Sequence, residues 1–157
     1  MNVEFKLLEK SLNKLEKDII PKWGKMNPIE MVIHCNNFIE VSFGIQKINF
    51  ISKISGRIFG RLYLKYLSSL NFNIYKYPKN SRTLNEFKPF LPRASFTFQK
   101  KRLAKNLKMV DGINSNFTKH NIYGKIKTDL FKKLVFFHTS YHLNQFGVLN
   151  NKKNYKG

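Results

Sequence analysis

His138 and His142 stand four residues apart in the run LVFFHTSYHLNQFG at 134–147. On an α-helix, a spacing of four places two side chains on one face, about 6 Å apart along the axis. Two imidazoles so placed can ligate one metal ion. Phe131, Val135, His138, His142 and Phe146 make one stripe, flanked by Leu130, Leu134, Phe137 and Tyr141. The pair therefore points from an apolar face into the interior, where a polar ring needs a partner. Helical histidine pairs also arise by chance, as surface residues or as core rings bonded to a carbonyl. A metal site needs a third ligand from elsewhere in the chain.

His34 is the candidate. It falls in the second turn of a well-punctuated helix: Asn27 suits the N-cap, Pro28 the first helical position, and Glu30 can close a capping box. Met31, Val32, Cys35, Phe38, Ile39 and Val41 carry the apolar pattern on to Gly44, a C-terminal stop. Cys35 is rotated about 100° from His34, so it reads as a packing residue. A lone histidine here would more often be structural.

The remaining elements must bring these faces together. Residues 3–19 read as a first helix, with Phe5, Leu8, Leu12, Leu15 and Ile19 in one stripe, Lys6, Lys10, Lys14 and Lys17 in water, and Pro21 closing it. Residues 49–70 read as another helix. Lys53, Arg57, Arg61 and Lys65 recur every four residues beside small Ser52, Gly56 and Gly60, and Ile51, Ile54, Ile58, Leu62 and Leu70 supply apolar surface. Two glycines cost such a helix about 2 kcal/mol relative to alanine, an expense that close packing against another backbone would offset. The basic stripe fits the solvated face of a packed helix, or a helix lying on a membrane. From Asn71 to Pro92 the chain turns polar and proline-rich, as a connection wrapping the surface. Residues 95–110 are helical again, with Phe96, Leu103, Leu107 and Val110 on one side, and Asp111-Gly112 stops them. A loop with His120 and Gly124 leads to the last helix, capped by Thr128 or Asp129 and ended by Gly147. His120 reads as a turn residue and not as a ligand.

Length and composition agree with one all-α domain over 1–150 and a frayed basic tail at 151–157. With 42% apolar and 15% aromatic residues, a chain of 157 builds a substantial core. A single cysteine excludes a disulfide framework and a cysteine-rich zinc cluster. The amino-terminal MNVEFKLLEK lacks a signal-peptide core, and no apolar run approaches the ~20 residues that span a bilayer. A cytoplasmic protein is the expectation. The net charge of +20 points to anionic partners. Lysine outnumbers arginine 24 to 5, however, whereas reading of base edges favours arginine. Nucleic acid is therefore the weakest of the partner readings.

Two segments resemble the DinB-like (YfiT-like) superfamily of metalloenzymes, within an uncharacterised bacterial subfamily. PKWGKMNPIEMVIHC at 21–35 is similar to its W-G-x-M segment followed by a histidine, and HNIYGKIKTDLFKKLVFFHTSYHLNQFG at 120–147 to its H-x-x-x-H-L-x-Q-F pattern after a glycine-containing turn. The resemblance implies a four-helix bundle, up-down-down-up, here with an extra helix or long connection between helices 2 and 3. It also implies three ligands to a divalent metal: His34, His138 and His142. Where the family often has proline after the turn histidine this chain has Asn121, and where it often has arginine before Gln145 it has Asn144.

Three imidazoles leave coordination positions open, as a catalytic site requires. Zinc, nickel, iron and manganese all suit such ligands. The family resemblance implies a transferase or hydrolase using a low-molecular-weight thiol. Glu30, one turn before His34, and Gln145, beside His142, are the candidates for catalytic or orienting roles. Two other classes remain open: a non-catalytic metal-binding bundle, and a basic module for membrane or nucleic acid. Partners compatible with these readings are a small-molecule substrate, a second copy in a homodimer, and a membrane surface reached through Lys53, Arg57, Arg61 and Lys65.

Overall fold

The computed structural model describes residues 2–89 and 95–149. Pro92 and the tail at 151–157 lie outside them. The chain is mostly helical: α1 (Val3–Asn13), α2 (Pro28–Phe43), α3 (Phe50–Ser69), α4 (Phe96–Asp111) and α5 (Thr128–Gln145), with strands β1 (Phe117–His120) and β2 (Gly124–Lys127) between the last two helices. α1 packs on α4 and α5, and α2 packs on the same pair. No helix among the described residues is long and apolar enough to cross a membrane.

α1 carries the expected stripe: Phe5, Leu8 and Leu12 are fully buried, and Lys6 and Lys10 stay in water. It stops at Asn13, six residues short of the reading that ran it to 19. Lys14 and Leu15 donate to Ser11 and Leu12 carbonyls in a tight last turn, and Leu15 still reaches the core from that turn. The apolar spacing thus outlasts the helix.

α2 is built as its punctuation dictates. Asn27 accepts from Glu30 N, Glu30 accepts from Asn27 N, and Gly44 takes a left-handed φ of 74° as C-cap. From Met31 to Ser42 every residue is buried, because α4, α5, the hairpin and the 3-10 turn at Asn85–Phe87 surround the helix. Polar groups on it therefore need partners. The Glu40 carboxylate accepts from the Arg102 guanidinium, Asn106 and Gln46, and Asn106 also donates to Asn36. Cys35 lies against Met31 Sδ, and burial pushes its thiol pKa up. It is a packing residue.

The loop expected around His120 is a β-hairpin, so the all-α reading needs correction. Thr118 pairs with Ile126 and His120 with Gly124, antiparallel. Thr118, His120 and Ile126 point inward, a period-2 pattern too short to stand out in so polar a stretch. Asn121 N donates to the Ser42 carbonyl at 2.9 Å, a bond that proline at 121 could not make. The last helix begins at Thr128 with Lys127 as a cap that makes no side-chain bond, and Gly147 follows its end with φ of 72°.

α3 departs most from expectation. Its small-residue side is the packed one: a Cβ on Gly56 would collide with Ile122, and one on Gly60 with Tyr123. The glycines admit side chains of the hairpin turn and not another helix backbone. Ile51, Ile54, Ile58 and Leu62, expected to supply packing surface, are exposed. Arg57, Arg61 and Lys65 are exposed too, with Lys53 half-buried. The connection that follows does not merely wrap the surface, since it sends Phe72, Ile74 and Phe87 into the core.

A glycine-to-alanine change inside a helix normally stabilises by about 1 kcal/mol. At Gly60 the collision with Tyr123, at the ~1–3 kcal/mol typical of overpacking, should outweigh that gain. Gly60→Ala is expected to lower the thermal midpoint, and to raise it when introduced into a Tyr123→Ala background. A stabilising Gly60→Ala in the parent chain would show that the seam is loose.

Candidate metal centre

His34 on α2 and His138 and His142 on α5 converge. One ring nitrogen of each lies within 4.8 Å of the others, and the three ring centroids are 4.7–4.9 Å apart. His34 and His142 are buried and His138 is half-buried. The structure thus brings together the three histidines that the sequence pointed to.

Two of the rings have their tautomer set by oxygen acceptors. His34 Nδ1 lies 2.8 Å from the Phe87 carbonyl, which can only accept, so the proton is on Nδ1 and Nε2 keeps its lone pair. His142 Nδ1 lies 3.0 Å from Gln145 Oε1. The Gln145 amide is itself oriented, because its Nε2 donates to the Trp23 carbonyl. His142 therefore donates through Nδ1, and its Nε2 is also a lone pair. His138 is held by packing: its ring stacks on Phe38 at 4.0 Å between centroids, 16° from parallel. Its Nε2 is 3.1 Å from His34 Nε2, and its buried Nδ1 has no hydrogen-bond partner.

This donor set fits a metal ion. Two nitrogens each ~2.1 Å from one ion, at tetrahedral or octahedral angles, lie ~3.0–3.4 Å apart, which brackets the 3.1 Å between His34 and His138. The widest separation, 4.8 Å, is beyond that range, and rotation of one imidazole has to close it. Orienting bonds from the non-ligating nitrogens to a carbonyl and an amide are the usual support for metal-bound histidine.

Electrostatics favour the neutral, ligating form of all three rings. Burial lowers the pKa of His34 despite its bond to Phe87. Burial, then the proximity of His142 and His34, takes His138 well below 6.5. Burial and His34 bring His142 down to about 3 against the opposing Gln145 bond.

The trio opens onto a cavity of about 800 Å³. Its wall is largely aromatic, with Trp23, Phe59, Tyr63, Tyr77, Phe137 and Tyr141 contributing. Tyr63 and Tyr77 share a hydrogen bond at 3.1 Å, and Tyr141 donates to the Pro78 carbonyl. No described lining residue is an Asp or Glu, whereas Lys25, Arg82 and Lys88 border the space.

The remaining site candidates divide. Gln145 lines the cavity and orients His142. Glu30 does not line it, and its carboxylate is engaged by Asn27 N in the capping box. His120 stands outside the trio: its Nδ1 accepts from Ile122 N and Tyr123 N, shaping the hairpin turn. Two contributors were missed in the sequence. The Phe87 carbonyl is main chain and has no side-chain signature. Gly24 combines φ of 84° with a position where a Cβ would collide with Gln145, and the W-G pair at 23–24 was its only trace.

Comparison of the chain with protein-family models, with curated proteins and with solved structures finds no match.

The lowered pKa values make metal-free stability depend on pH. Unfolded histidine titrates near ~6.5, above the folded values of His34, His138, His142 and His120, the last lowered by burial to about 3. Below that the unfolded chain binds more protons, so stability is complete above about pH 6.5 and is lost as pH falls toward about 3. The urea midpoint of metal-free protein should be level above about pH 7 and drop below about pH 6. An unchanged midpoint at about pH 5 would mean that these rings are protonated in the fold.

Proposed function

We propose that this protein is a divalent-metal-dependent enzyme of the DinB-like kind, with His34, His138 and His142 as the ligands. The observation that carries the reading is the convergence of three imidazoles on one end of a sizeable cavity, with the lone pairs of His34 and His142 set by their hydrogen bonds. The family assignment rests on the two sequence segments. In this reading α1, α2, α4 and α5 form a four-helix bundle, up-down-down-up, in one domain over 1–150, and α3 is the insertion between its second and third helices. The packing of α1 and α2 each on α4 and α5 supports that arrangement.

A divalent ion held there would supply Lewis acidity, able to polarise a carbonyl or activate a thiol. The chain's own residues do the rest. Phe87 and Gln145 fix two rings, so little reorganisation accompanies binding. The aromatic wall limits water around the trio. With no described carboxylate on the wall and its three imidazoles assigned as ligands, proton transfer by side chains falls to the phenol groups, and the cations at its border favour a substrate bearing negative charge. A low-molecular-weight thiol with acidic groups meets both conditions, so a thiol-dependent transferase or hydrolase is the activity proposed.

Elemental analysis of untagged protein tests the metal, with about one divalent ion per chain expected. His142→Ala should abolish tight binding and leave helicity almost unchanged, because the core is built from Leu, Ile and Phe and not from the site. Unfolding on chelation would make the ion structural. Gln145→Leu leaves the His142 proton donor unsatisfied and should weaken metal affinity about 10–100-fold. Metal-loaded protein should turn over thiols with small electrophiles. Full metal occupancy without turnover across a panel of both would favour the non-catalytic binding reading.

A further inference from the structure

α3 buries Gly60 and Leu67 and turns its opposite side to solvent. At 100° per residue, Ile51, Ile54, Ile58 and Leu62 fall within an arc of about 80° on that outer side. Ile51 is 71% exposed, and Ile58 and Leu62 are each 60% exposed. Arg57 and Arg61 border the strip on one flank, Lys65 falls within its arc just past Leu62, and exposed Tyr66 lies on the other flank. A solvent-facing strip of this kind needs an occupant.

Charge selects which. From Val41 to Asn85 the chain has no Asp or Glu, and its net charge is +20. A second copy would bring the same cations against Arg57, Arg61 and Lys65 with no carboxylate on the face to receive them. An anionic lipid surface offers acyl chains for the isoleucines and leucine, and phosphates for the cations. An aromatic side chain such as that of Tyr66 favours the headgroup boundary. Lys and Arg stems can lie along apolar surface while their charges reach the phosphates.

We propose that the outer face of α3 docks on an anionic membrane surface, with Ile51, Ile54, Ile58 and Leu62 entering the interface and Arg57, Arg61 and Lys65 engaging lipid phosphates. The helix lies in the plane of the surface and does not cross it, in keeping with its length and charge. The inference stands independently of the metal reading.

The test is flotation of the full-length protein with vesicles of phosphatidylcholine alone, or of phosphatidylcholine with an equal amount of phosphatidylglycerol. Binding is expected only to the second, and weaker in high salt. Replacing Arg57, Arg61 and Lys65 by Gln removes three lipid-facing charges and should weaken binding on the order of 100-fold. The same loss of charge on α1, with Lys6, Lys10 and Lys14 replaced by Gln, should leave most of it. Ile58→Ala/Leu62→Ala keeps the charges and the helix propensity and should also reduce binding. Equal binding to both vesicles, or none, would overturn the proposal. So would equal losses from the α1 and α3 charge variants, which would mean that net charge alone attracts the chain. A dimer in solution that Ile58→Ala/Leu62→Ala dissociates would assign the face to a second copy instead.

Discussion

Three desolvated imidazoles facing one another set the main constraint on this molecule. Each must stay neutral, since a proton on any of them would be both buried and close to two like neighbours. Each must also be held, because an imidazole free to turn loses its direction. The fold answers with one main-chain carbonyl on His34, one side-chain amide on His142 and one aromatic stack on His138. These come from three places: the long connection after α3, the end of α5, and the middle of α2. The lowered basicity of the rings and their orientation are two results of the same burial.

That requirement explains features that look unrelated along the chain. Gln145 can hold His142 only if something holds Gln145, and the Trp23 carbonyl does so. Lys22 N donates to the Gln145 carbonyl in the same place. The approach is close enough that residue 24 has no room for a side chain. The segment before α2 is thus part of the site, though none of its side chains is a ligand. On the far side of α2, the Glu40 carboxylate is met by Arg102, Asn106 and Gln46, so the buried charge is both paired and hydrogen-bonded. It ties α2 to α4, while the histidines join α2 to α5. Both faces of α2 are therefore fixed by polar groups set in an apolar core.

Much of this was legible in the chain itself. Asn27, Pro28, Glu30 and Gly44 bounded α2 correctly because capping is local: the donors and acceptors lie within four residues of one another. The spacing of His138 and His142 fixed their shared face for the same reason. Elements whose ends depend on distant contacts were harder to read. The apolar stripe of α1 continued past its last helical turn, and the hairpin strands were too short and polar to announce themselves. The isoleucines of α3 obeyed the helical period without indicating which side would be covered.

By itself, then, the sequence determined which side chains share a face, where the well-capped helices begin and end, and that three histidines lay on apolar faces. Periodicity and capping are properties of a few consecutive residues, so they survive without knowledge of the fold. Only the tertiary structure decided that those faces meet. It also supplied the Phe87 carbonyl that fixes His34, placed Gln145 as the support of His142, and turned the glycines of α3 inward and its isoleucines out. Each of these depends on what lies across the chain from a residue, and a helix with two plausible faces gains a buried one only from its neighbour.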